Sequence, residues 1–274
     1  MGRFGMWFLF ICALALVFGA QSRAEDSRLT LLQTGQDSRG WEAVGRLDIS
    51  GKGFCTGALI REDIVLTAAH CVFDASGNQI DADRFQFLAG LREGRAESYR
   101  GVRQVLAHPD YVFGQRSPSA VEVAADVALL VLDQPIRNSR IMPFPIAEFP
   151  APGDQVGIVS YGRDRSEAPS LQEVCNVMAE QDGVVVMSCD VDFGSSGSPV
   201  FMMRDGRESI VSVVSAMADF EGRKVSLGMS LGDPLTTLMA LLDGQAGRRQ
   251  VGNARIITPG QRSEGGAKFI SPGG

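Results

Sequence analysis

Along residues 25–243 the apolar positions fall in short runs rather than in helical stripes. Runs at 44–49, 64–67, 127–132, 156–160, 184–188, 210–215 and 225–230 are rich in Val, Ile and Leu. Turn residues separate them, among them Gly51, Gly53, Pro109, Pro118, Pro150, Pro152, Gly162, Gly183 and Gly206. Short β-type runs without helical periods between them predict an all-β sandwich or barrel. One helix closes the body: Asp233 can cap it, Pro234 suits its first turn, and Leu235, Leu238, Leu241 and Leu242 recur on one face. From Gly244 the composition turns to Gly, Arg, Gln, Ser and Pro, which predicts a flexible tail over 244–274.

The amino-terminal pattern is different. Arg3 precedes an apolar run from Met6 to Gly19, and Ser22-Arg23-Ala24 offers small residues at the two positions a signal peptidase reads. The run is shorter than the roughly 20 residues of a spanning helix, so residues 1–24 read as a cleaved signal peptide rather than an anchor. The expected location is secreted or periplasmic, with no membrane association once the signal is removed. Charge adds one exclusion. The leader carries +2 and the tail +4, so a chain net charge of −6 leaves −12 on residues 25–243. Nucleic acid demands a basic face and is not an expected partner.

Removing the leader takes Cys12 and leaves Cys55, Cys71, Cys175 and Cys189. None forms a C-x-x-C pair, which disfavours a zinc or thioredoxin-like site; disulfides in an oxidising compartment are the natural reading. The residues alone leave all three pairings open. No metal or other cofactor is expected, since the chain has no H-E-x-x-H, P-loop or dinucleotide fingerprint.

Three stretches carry chemistry: Thr67-Ala68-Ala69-His70-Cys71, Asp126-Val127-Ala128-Leu129-Leu130 and Gly194-Ser195-Ser196-Gly197-Ser198-Pro199. His70 stands at the end of a strand and can serve as a base. Asp126 opens an apolar run, where a carboxylate is costly unless bonded; a histidine N–H would satisfy it and fix the tautomer. Ser196 lies between glycines that permit a tight turn, so the amides of Gly194 and Ser196 can converge on one oxyanion. An α/β-hydrolase elbow is excluded: position 198 is Ser, and the order His, Asp, Ser is the reverse of that class. The other histidine, His108 in His108-Pro109-Asp110-Tyr111, reads as structural.

In order and setting these stretches resemble the chymotrypsin/trypsin family of serine proteases. Trp41 to Leu47 and Cys55-Thr56-Gly57-Ala58-Leu59-Ile60 look like the two strands before its histidine. Thr56 and Ser198 resemble the bacterial branch that includes V8-like endopeptidases. The resemblance implies two six-stranded antiparallel barrels in a protease domain over 25–243, a His70–Asp126–Ser196 triad, an oxyanion hole from Gly194 and Ser196, and Cys55–Cys71 and Cys175–Cys189 disulfides. It also implies a monomer acting on polypeptides. The alternative is a catalytically silent binding protein of the same fold. Ser195 stands where animal trypsins have the aspartate that captures a freed amino terminus, and no Ile-Val-Gly-Gly site is present. Asp190 lies six residues before Ser196, the register of the trypsin pocket carboxylate, and would favour Arg or Lys. Ser215, Met217 and Gly228 complete the expected pocket.

Overall fold

The computed structural model describes residues 26–114, 120–204 and 206–252. The expected signal peptide over 1–24 and residues 253–274 of the expected tail lie outside them. The strands are β1 (Thr30–Leu31), β2 (Val44–Ile49), β3 (Gly53–Arg61), β4 (Ile64–Thr67), β5 (Phe85–Ala89), β6 (Ser98–Ala107) and β7 (Ala128–Leu132). After them come β8 (Gln155–Gly162), β9 (Arg165–Gln181), β10 (Val184–Met187), β11 (Pro199–Arg204), β12 (Arg207–Phe220) and β13 (Arg223–Met229). A short α1 (Ala120–Ala124) precedes β7, and α2 (Gly232–Gly252) follows β13.

β2 to β7 close into a barrel in the order β2-β3-β4-β7-β6-β5. β8 to β13 form the second ring, in the order β9-β10-β13-β12-β11-β8, which the β8–β9 pairing closes. All these pairings are antiparallel. The expected all-β fold of two six-stranded barrels with a carboxy-terminal helix is the observed one.

Alternation decides each strand's orientation. In β2, Val44, Leu47 and Ile49 are buried while Arg46 and Asp48 are only partly covered. β7 is buried at every position, as befits a strand covered on both faces. One core runs from the first barrel (Leu47, Leu66, Phe87, Leu130) into the wall of the second (Val159, Tyr161, Phe201, Val213) and reaches Leu238 on α2. Trp41, Phe144 and Phe201 join the halves, with ring centroids 4.7–6.0 Å apart.

The chain from 26 to 32 lies along β9. Ser27 and Leu32 donate backbone hydrogen bonds to Val174 and Pro169, and β1 pairs with Ser170 and Leu171. α2 departs from expectation at both ends. It starts at Gly232 and runs past Gly244 to Gly252, so the first residues of the expected tail are helical. Gln245, Ala246, Arg248, Arg249 and Gln250 are good helix formers, and Gly244 costs only about 1 kcal/mol inside a helix. Among the described residues no helix is long and apolar enough to cross a membrane.

Candidate active site

β4 ends at Thr67 and the chain enters a helical turn, Ala69–Val72, that carries His70. Asp126 sits just before β7, which pairs with β4 in the register Thr67↔Ala128. Adjacent strand ends therefore bring the two side chains together. His70 Nδ1 lies 2.7 Å from Asp126 Oδ2, and the backbone N–H of His70 donates to Asp126 Oδ1 at 2.7 Å. Asp126 is only 3% exposed, so its carboxylate depends on these partners rather than on water. Ser215 Oγ donates a third bond, 2.5 Å, to Asp126 Oδ2. Ser215, expected to line the substrate pocket, is thus also bonded to the carboxylate.

The serine turn is fitted against the same strands. Gly194 and Gly197 have φ of +96° and +79°, conformations that favour glycine. A side chain at Gly194 would collide with the Phe54 ring, and one at Gly197 with Thr67 Oγ1 and Thr56 O. Thr56 on β3 ties the turn down. Its N–H donates to Ser196 O (2.9 Å), its Oγ1 donates to Gly194 O (2.9 Å) and accepts from the Tyr161 N–H (3.0 Å), and its carbonyl accepts from Thr67 Oγ1 (2.8 Å). The amides of Ser195, Gly197 and Ser198 are spent on Asp192, Val214 and Ser195 carbonyls. Among the described residues those of Gly194 and Ser196 donate to nothing. Two unspent amides two residues apart, one of them that of the half-buried Ser196 itself, are a ready receptor for an anionic oxygen. The Ser196 hydroxyl bonds to no side chain among the described residues; such hydrogen bonds often close only when substrate is bound.

Lys52 is a residue that motif reading missed. Its Nζ donates to the carbonyls of His70 (2.7 Å), Cys71 (3.3 Å) and Phe73 (2.7 Å), capping the histidine turn as a cation caps a helix end. Desolvation lowers its pKa, while Asp126 and Asp74 act in the opposite direction. The Cys55–Cys71 disulfide joins β3 to the same turn, and Cys175–Cys189 joins β9 to the segment before the serine turn. Cys55, His70 and Cys71 bring potential metal-ligand atoms within 4.8 Å of one another, but both sulfurs are consumed by the disulfide and offer no thiolate. His108 fills its structural part: its N–H donates to Val127 O and its Nδ1 accepts from the Asp110 N–H.

The residues expected to line the specificity pocket differ in exposure. Asp190 is exposed, with its backbone N–H on Gln172 Oε1 at 2.7 Å. Met217 is exposed on β12. Gly228 is enclosed, and a Cβ there would collide with Ser212 Oγ and come within 3.0 Å of the tip of the Met187 side chain. β13 pairs with β10 through Met187↔Ser226 and with β12 through Met217↔Ser226, and a β-bulge between Val214 and Ala216 interrupts the second pairing.

A family model described as Trypsin matches residues 33–226. Curated relatives include human mannan-binding lectin serine protease 1, 29% identical over 126 residues. That match covers 41% of this chain and 17% of the relative. Coagulation factor IX of Cavia porcellus is 28% identical over 116 residues, 41% of this chain and 38% of the relative. Mast cell protease 3 of Ovis aries is 40% identical over 75 residues, 27% of this chain and 28% of the relative. The chain thus spans well under half the length of these relatives.

Proposed function

This chain belongs to the trypsin family, and we propose on that premise that it is an exported serine endopeptidase acting as a monomer on polypeptides. Ser196 is the nucleophile. His70 takes its proton as general base and returns it to the leaving amine as general acid, and Asp126 holds the imidazole tautomer that leaves Nε2 free. The carbonyl oxygen becomes an oxyanion held by the amides of Gly194 and Ser196. The acyl-enzyme on Ser196 is then hydrolysed by water through the same groups. The observation that carries this reading is the buried Asp126 bonded at 2.7 Å to His70, beside a serine turn with two unspent amides. Export agrees with two disulfides, which persist in oxidising compartments. Thr56 and Ser198 carry our placement in the bacterial, V8-like branch. Asp190 gives a preference for Arg or Lys at the scissile position; its exposure makes that preference a modest one.

A fluorophosphonate probe tests the reading. The mature protein should label, and Ser196→Ala should abolish labelling and lower turnover by on the order of 10⁶-fold, the loss known for the subtilisin nucleophile. A folded protein that never labels, or labelling that survives Ser196→Ala, would instead identify a silent binding protein of the same fold.

A further inference from the structure

Arg165 is a half-buried cation that the proposed chemistry leaves unused. It opens β9 directly across the hairpin from Gly162, where a Cβ would come within 2.8 Å of its Nε. The bare glycine lets the guanidinium fold back over β8. There Nη1 donates to Ser160 O (2.5 Å), while Nη2 donates to Ser160 Oγ (2.9 Å) and to Ser195 Oγ (3.1 Å). Ser195 is fully buried, and its hydroxyl is saturated. It donates its one proton to Tyr161 O (3.2 Å) and accepts from both Arg165 and the Asp192 N–H (3.2 Å).

This junction sits between the two unspent amides. The Ser195 side chain departs from the residue linking Gly194 to Ser196, so fixing it fixes the tilt of both neighbouring peptides. A neutral donor could make the same bonds at a lower desolvation cost. Burial does oppose the charge on Arg165, and the fields of Asp190 and Asp192 support it. No carboxylate among the described residues comes within ion-pairing distance. The cation's strongest bonds therefore go to the serine turn and to the strand that backs it.

Resting on the serine-protease reading, we infer that Arg165 is a positioning residue that holds the serine turn in its anion-receiving shape through the Ser195 hydroxyl. The cation is internal to the chain and in place without a substrate. The segment 26–32 is engaged along β9.

The test compares Arg165→Ala, Arg165→Lys, Ser195→Ala and the Arg165→Ala/Ser195→Ala pair in the mature protein. Its readouts are the fluorophosphonate labelling rate, kcat and KM on a peptide amide, and affinity for a peptide boronic acid whose boronate oxygen occupies the anion site. Arg165→Ala should lower labelling, kcat and boronate affinity together, by on the order of 10²-fold, the lower end of what one lost oxyanion donor costs. KM should stay within about twofold, because substrate binding outside the anion site is untouched. Arg165→Lys should recover only part of the loss, since an ammonium lacks the planar fork. Ser195→Ala should reproduce the loss, and adding Arg165→Ala to it should change little further. Ser195→Ala alone decides the matter even if Arg165→Ala does not fold: wild-type labelling by that variant would overturn the inference. Wild-type labelling with Arg165→Ala, or additive losses in the pair, would overturn the inference and leave the protease reading standing. An unmodified protein that does not label would overturn both.

Discussion

Ser215 gives the buried Asp126 carboxylate a donor from the second barrel. Asp126 receives three donors: the His70 backbone, the His70 ring and Ser215 Oγ. The Ser215 bond keeps the carboxylate turned toward the imidazole, so its removal acts on the proton-transfer step and not on substrate binding. A hydrogen bond to a charged group contributes about 1.5–3 kcal/mol, and a loss of about 1.4 kcal/mol from the transition state is tenfold in rate. Ser215→Ala should therefore lower kcat about tenfold with KM nearly unchanged, whichever residue stands at the scissile position. Steady-state kinetics on two peptides differing only there would check it; a KM change that follows the peptide would show Ser215 acting in the pocket. His70, Asp126 and Ser196 were legible because each stands in a distinctive setting. Ser215 was legible as a residue near the site but not as a carboxylate ligand, since it stands at a β-bulge between Val214 and Ala216 that no local pattern announces.

At the level of elements, the site depends on β3 holding the serine turn against β4. Thr56 is the joint, and the sequence offered it only as a mark of resemblance to bacterial relatives. Its hydroxyl satisfies two backbone groups from separate segments, Gly194 O and Tyr161 N–H. Thr56→Val keeps the volume and strips both bonds. At about 1–3 kcal/mol for each buried group left without a partner, it should destabilise the fold by roughly 2–6 kcal/mol. Thr56→Ser should retain most of the stability. Urea denaturation would show the difference as a lower midpoint at constant slope; equal midpoints for the two variants would mean that the hydroxyl is not the joint. Local pattern found the apolar strands well: β2 and β4 have the bounds their runs suggested. It did not find β9, whose 17 residues include Pro169, Gln172, Glu173 and Asn176. That strand exists because β1, β8 and β10 all pair with it, a tertiary preference that no local window contains.

Across the whole molecule, charge and specificity come together. Residues 25–243 carry −12, and the pocket carboxylate expected from the sequence register stands in solvent. Arg165, whose charge the fields of Asp190 and Asp192 support, competes for the same local field. An enclosed carboxylate would reward a cationic substrate through a desolvated pair that salt barely touches. An exposed one acts through a screened field, where single pairs contribute about 0.2–1 kcal/mol. The acidic body adds a diffuse attraction that raises encounter rates for cationic peptides. The preference for Arg or Lys over Ala should thus be modest and appear mainly in kcat/KM. It should also shrink as ionic strength rises from about 0.01 M to about 1 M, over which the screening length falls from about 30 Å to about 3 Å. Asp190→Ser should remove no more than about fivefold of it, the rate equivalent of a surface pair of up to about 1 kcal/mol, because the remaining acids keep the field negative. Fluorogenic peptides varied at one position, assayed at both salt concentrations with each protein, would measure this. A large, salt-independent preference that vanishes in Asp190→Ser would mean that the carboxylate turns inward when substrate binds and builds a closed pocket around the cation.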